Sequence, residues 1–228
     1  MDWQALALTL RLAVVTTIIL LLIAVPLAFW IVSTHSRLRA LVEAVTTLPL
    51  LLPPTVLGFY MLILMGPRTT IGRAWIHLTG HPLAFSFAGL VTGSVIYSLP
   101  FAVQPIATGF SAVDAALIEQ AQLLGAGPLR LLGELMLPLS VRSLVTAAVL
   151  CFTHTIGEFG VVLMIGGDIP GSTRTLSISI FDQVQDFNYA AANRTALTLI
   201  TISIVALVAL YLLRARGALS TAQGPGNG

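Results

Sequence analysis

Glu158 is the side chain with the sharpest chemical potential in this chain, because it is the only acid deep within a long apolar run, Arg142 to Gly166. A carboxylate without a partner in such surroundings is expensive, so an ionisable residue there is a functional candidate by default. It would repel an anion rather than bind one. Two readings stay open: a structural role, pairing with an Arg or with backbone near Gly157 and Gly160, and a role as a gate. Ser94, Cys151 and His154 invite a hydrolase reading. However, the residues around Ser94 do not fit G-x-S-G, and no acid is spaced to orient the histidine. His35, His77 and His81 lack a metal-ligand spacing such as H-E-x-x-H. No catalytic residue, no metal and no cofactor is expected in this chain. Arg174 and Arg194 bound one loop, and an Arg donor fork suits tetrahedral oxyanions. Ion pairing with Asp168, Asp182 or Asp186 is the plainer expectation. Cys151 reads as a small buried hydrophobe.

The cations narrow the field further. All eleven basic residues are Arg, and there is no Lys. A P-loop needs a Lys to reach the phosphates, so the chain has no Walker A site. A Schiff base with pyridoxal phosphate or retinal is excluded for the same reason. A net charge of +2 does not point to nucleic acid. With 57% hydrophobic and 9% charged residues, against about a quarter charged in soluble domains, this chain could not cover a soluble surface. Disorder and coiled coil fall with it. The expectation is an all-α integral membrane protein.

The gaps between charges predict the elements that must hold these residues. A bilayer crossing takes about 20 apolar residues. Five segments qualify, near 12–33, 46–66, 83–107, 142–166 and 195–213. Pro49, Pro53 and Pro54 fall in the second and Pro100 and Pro105 in the third, and each removes a helix donor. Kinked or broken helices of this kind can expose backbone dipoles along a pathway. On that reading Pro53, Pro54, Gly58, Glu158 and Gly160 are the candidate pathway or gate residues. Five crossings place the termini on opposite sides. The six Arg on the C-terminal side, against five, weakly favour an outside N-terminus. One transmembrane domain is expected over 1–228, with a core of about 9–213 and a disordered tail from about 217 to 228.

Segment 108–142 is too polar to cross and too patterned to be a linker. Ser111-Ala112-Val113-Asp114 reads as a helix start with Ser111 as the N-cap. The helix AALIEQAQLL then stops at Gly125-Ala126-Gly127-Pro128. Leu117, Ile118, Ala121, Leu124 and Gly125 share one face. The small residues Ala121 and Gly125 would let a partner approach closely. An amphipathic helix at the membrane surface is the plainer reading of the same pattern.

Glu119-Gln120-Ala121, Gly125 and Leu135-Met136-Leu137-Pro138 resemble the EAA loop of ABC importer permeases, E-A-A-x3-G-x9-I-x-L-P. Gln120 and Leu135 depart mildly from that pattern. The stretches 48–66, 111–130, 156–185 and 186–194 are similar to molybdate importer permeases. This resemblance implies a type I importer fold, with loop 111–138 forming a cytoplasmic coupling helix that docks on an ABC ATPase subunit. Glu119, Ala121, Leu123, Gly125, Leu137 and Pro138 would carry the docking. It also implies a homodimer, an extracytoplasmic molybdate-binding protein and a bacterial or archaeal plasma (inner) membrane location with a cytoplasmic C-terminus. Tungstate and sulfate are the alternative cargoes. The rival function is an ATP-independent secondary transporter or channel.

Overall fold

The computed structural model describes residues 2–222, and every regular element within them is helical. In chain order these are α1 (Trp3–Ser33), α2 (Leu38–Leu51), α3 (Pro54–Leu64), α4 (Thr70–Thr79), α5 (Phe87–Ser111) and α6 (Ala115–Leu123). Then follow α7 (Pro128–Leu139), α8 (Val141–Gly157), α9 (Gly160–Gly166), α10 (Leu176–Gln185) and α11 (Tyr189–Ala222). Three of them, α1, α5 and α11, are each long and apolar enough to cross a bilayer alone. Two bent pairs, α2 with α3 and α7 with α8, reach that measure only together.

The main core lies where α1, α5 and α8 pack. Leu20, Ala24, Ala28 and Ile31 form one face of α1 and meet Ala102, Val103, Ile106 and Phe110 of α5, with Ala147 and Cys151 of α8. Lipid tails are as apolar as these side chains, so burial alone does not drive the contact; small residues that let helices approach closely do. Pro26, Pro100 and Pro105 leave α1 and α5 unbroken. A second cluster at the other end of α5 joins Met61 and Met65 to Leu83, Ala84, Val161 and Ile165.

The expected second crossing, 46–66, is not one helix. It turns through 111° between α2 and α3. Pro53 and Pro54 impose this: Leu52 and Pro53 take extended geometry, and Pro54 opens α3 at the position where its missing N–H costs nothing. The expected fourth crossing, 142–166, is also interrupted. Glu158 is extended at φ −66° and ψ 131°, which separates α8 from α9. Its carbonyl, released from the helix, accepts a hydrogen bond from Ser177 Oγ at 2.6 Å. At the tail, expected to be disordered from about 217, α11 is assigned as far as Ala222. Residues 223–228 of that tail lie outside the described residues.

The two broken segments fit each other through glycines. A Cβ on Gly160 would stand 2.7 Å from Pro54 Cβ, and one on Gly58 would stand 2.8 Å from Met164 Cβ. Gly160→Leu is therefore expected to cost about 1–3 kcal/mol through overpacking. Gly157→Ala, with nothing within 4 Å of the new Cβ, serves as the control. Thermal unfolding in detergent would check this, and equal melting of both variants would contradict the packing.

Candidate functional site

The structure gathers candidate residues at two places. The first is the α3–α9 crossing. Pro53 caps α3, Pro54 touches Gly160, Gly58 faces Met164 and Val161, and Glu158 stands at the break two residues before Gly160. All five pathway candidates thus converge, although more than a hundred positions separate the two groups. The Glu158 side chain is 4% exposed. The expected Arg partner is not there: neither carboxylate oxygen accepts a hydrogen bond. Ser94 of α5 stands beside it, its Oγ likewise buried. The crossing therefore holds a buried carboxyl group beside a buried hydroxyl, at the point where a helix is broken.

Next to it lies a contact that the sequence does not reveal. Ser98 Oγ is 2.8 Å from His154 Nδ1, and the His154 ring stacks on Phe101 with centroids 4.1 Å apart. Thr155 Oγ1 is 3.5 Å from the same Ser98 oxygen. Ser98, rather than Ser94, is the partner of His154. No carboxylate joins them, so the arrangement ties α5 to α8 rather than activating a nucleophile. Among the described residues no group of three His, Cys, Asp or Glu is gathered that could hold a metal ion.

The second place is the loop after α5. Ser111 is not the N-cap of α6 but the last residue of α5; Asp114 caps α6 instead, its carboxylate accepting from Ala116 N at 2.9 Å. The far end of α6 closes as a Schellman motif. Ala126 N donates to Ala121 O, and Gly125 N donates to Gln122 O, both at 2.9 Å. Gly125 holds φ +83°, the left-handed region that side chains avoid. Nothing lies within 4 Å of a Cβ built there, so the glycine serves the turn and not a close contact within the chain.

Ile118 and Ala121 lean on the main core through Leu131 and Met136. A cavity of about 330 Å³ lies beside them, between the end of α1 and α7. The rest of α6 is open: no residue in it is buried, Glu119 is exposed, and Leu123 is 88% exposed. Leu124 and Leu129 are exposed to a similar degree. Leu137 packs against the core, whereas Pro138 is exposed. Residues Leu131–Met136 form a π turn just before Pro138. Pro138 has no N–H to give an α-helical bond, and the wider turn absorbs that loss; Leu137 N reaches back to Leu132 O.

At the opposite end of the bundle, Arg174 binds Asp168. Its Nε and Nη2 both donate to the carboxylate, the latter at 2.7 Å, and Asp182 lies 3.5 Å from the same guanidinium. Arg174 therefore meets the expectation of an ion pair within its loop. The Arg174 hydrogen bond holds Asp168 below its usual range. Burial, and then the neighbouring Asp168, push Asp182 up to about 6.

Residues 20–220 match the family model described as binding-protein-dependent transport system inner membrane component. The chain is 49% identical over 210 residues to the molybdenum transport system permease protein ModB of Azotobacter vinelandii, covering 92% of this chain and 93% of that one. It is 33% identical to the ModB protein of Escherichia coli K12, covering 81% and 80%. Its fold is similar to a bacterial ABC transporter involved in the import of alginate. The TM-score is 0.74 at 16% identity, over 93% of this chain and 78% of that one.

Because Asp182 is raised above its usual value of 3.8, its contribution to stability is complete below pH 3.8 and is lost as pH rises through about 6. Asp168, held low, contributes in the opposite sense, and its share is lost only in stronger acid. Between about pH 4 and 7 the melting temperature of the parent protein should fall relative to Asp182→Asn. Parallel profiles for the two would show that Asp182 is ionised like any surface acid.

Proposed function

Since this chain belongs to the family of binding-protein-dependent transport system inner membrane components, we propose that it is the multi-pass permease subunit of an ABC importer for molybdate. The 49% identity to a molybdenum transport permease across nearly the whole of both chains carries the choice of cargo. Tungstate shares the charge and tetrahedral shape of molybdate, so it is the expected competitor, with sulfate behind it.

The energy comes from a separate ATPase. A sequence without Lys offers no Walker A site, and the open apolar end of α6 offers a place to dock. Glu119, Ala121, Leu123 and Gly125 present the helix, while Leu137 and Pro138 fix the segment behind it. The Schellman stop gives α6 a defined end, and Ile118 and Ala121 pass its displacement to the core. Two copies related by a two-fold axis would enclose a path that one bundle of this size is too small to enclose. The loop carrying α6 faces the cytoplasm, as does the C-terminus; the N-terminus and the Arg174 loop face outward, toward a molybdate-binding protein.

In this mechanism the permease carries no chemistry and needs no cofactor. ATP draws the ATPase subunits together, the docked α6 helices follow, and the crossing segments open outward. The binding protein then releases its anion between the two copies. Hydrolysis returns the inward-facing state. ATP must bind one state better than the other for this to work. The α3–α9 crossing, with Pro53, Pro54, Gly58, Glu158 and Gly160, is the proposed gate region. Neutral hydroxyls and backbone groups line the path, so that the anion is not held too tightly to leave.

Two experiments test this reading. Glu119→Arg combined with Gly125→Leu should abolish ATPase co-purification and molybdate uptake measured with the cognate binding protein. Unchanged uptake with the ATPase still attached would end the docking proposal. Glu158→Gln should insert and melt like the parent and keep part of its transport, because the carboxyl group has no salt-bridge partner among the described residues to lose. Complete loss of inserted protein would instead make the charge itself structural.

A further inference from the structure

Helix α4 has no role in the function just proposed, yet its surface is unusual. Ten residues span about 15 Å, too short to cross a bilayer. Thr69 caps its start, its Oγ1 accepting from Gly72 N at 3.0 Å, and Gly80 ends it at φ +77°. One side anchors it to the bundle. A Cβ on Gly72 would collide with the Gly66 carbonyl, and Trp75 packs on the cluster of Met61, Met65, Leu83 and Ala84. This places α4 where α3 ends and α5 begins, at the end of the bundle opposite α6.

The other side is apolar and uncovered. Ile71, Ala74 and Leu78 follow the i, i+3, i+7 spacing of one helix face, and Leu78 is 85% exposed. Arg73 and His77 lie along one side of that face, and Arg68 precedes it. From residue 44 to residue 113 the chain contains no acid at all. Among the described residues neither Arg68 nor Arg73 forms a salt bridge; the Nε of Arg73 reaches the Thr69 carbonyl, at 3.4 Å. Of the acids at this end of the bundle, Asp168 and Asp182 are engaged by Arg174 and Asp2 caps α1, while Asp186 forms no salt bridge with Arg68 or Arg73 among the described residues.

We propose that α4 lies in the membrane interface, its Ile71–Ala74–Leu78 face in the acyl region and Arg68 and Arg73 on the phosphates of anionic phospholipid headgroups. An apolar stripe with cations beside it on a short helix is the pattern of an interfacial anchor. The exposed apolar side chains of α3, Phe59, Tyr60, Ile63 and Leu64, lead up to it.

The test uses the full chain with Trp3→Phe and Trp30→Phe, so that Trp75 alone reports. The protein is reconstituted in vesicles of brominated phosphatidylcholine or brominated phosphatidylglycerol. Quenching of Trp75 by both lipids is expected, with phosphatidylglycerol preferred at the site by about fivefold or more. High salt should shrink that preference, and Arg68→Gln with Arg73→Gln should remove it while acyl-chain quenching persists. The salt titration needs no variant at the arginines and stands if the double variant fails to fold. No quenching by either lipid would mean that a second copy or a soluble partner covers the face, and would overturn the proposal. Equal quenching by the two lipids would overturn the headgroup assignment.

Discussion

Backbone groups released inside a membrane must find partners in the protein, since hydrocarbon offers none. Among the described residues, helices break at Leu52–Pro53, at Ser140 and at Glu158–Phe159, the first and the last inside expected crossings. The last break is held by Ser177, which arrives from the start of α10 to donate to the Glu158 carbonyl. That start is itself pinned, because Leu176 N donates to Thr9 Oγ1 of α1 at 2.9 Å. Thr9 in turn donates to Ala5 O. The long first helix, the broken fourth segment and the short helix between the last two are thus joined by one short chain of hydrogen bonds. Removing that chain would leave a buried carbonyl unpaired, and the α3–α9 crossing would lose its fixed geometry.

Much of this fold was legible in charge spacing alone. Apolar runs between charged residues located α1, α5 and α11, and turn residues located the stop of α6. What failed to show was tertiary in origin. SAVD contains two plausible caps; α5 runs on through Ser111, which leaves the capping to Asp114. The segment 142–166 contains no Pro, and its break exists because Ser177 and α3 complete it from distant parts of the chain. Ser98 and His154 are 56 residues apart, and no local pattern links them. Gly125 drew attention as a small residue, yet its use is conformational: it lets the chain turn left-handed and close α6.

The two candidate regions differ in how they are built, and the difference suits their proposed roles. The α3–α9 crossing is closely packed through its glycines, with Gly58 and Glu158 buried. Helix α6 touches the core only through Ile118 and Ala121 and offers the rest of its surface outward. A nine-residue helix is marginal on its own in water. Its Asp114 cap and Schellman stop supply from local geometry the definition that packing does not.

The paired glycines of the crossing carry a mechanical consequence. Gly58 meets Met164, and Gly160 meets Pro54, so each helix sets a bare stretch of backbone against a bulkier residue of the other. Interlocked side chains must change rotamers before two helices can slip past one another. Here there are few rotamers to change, because one side of each contact has no side chain. A seam built this way lets one helix move along another with little side-chain rearrangement.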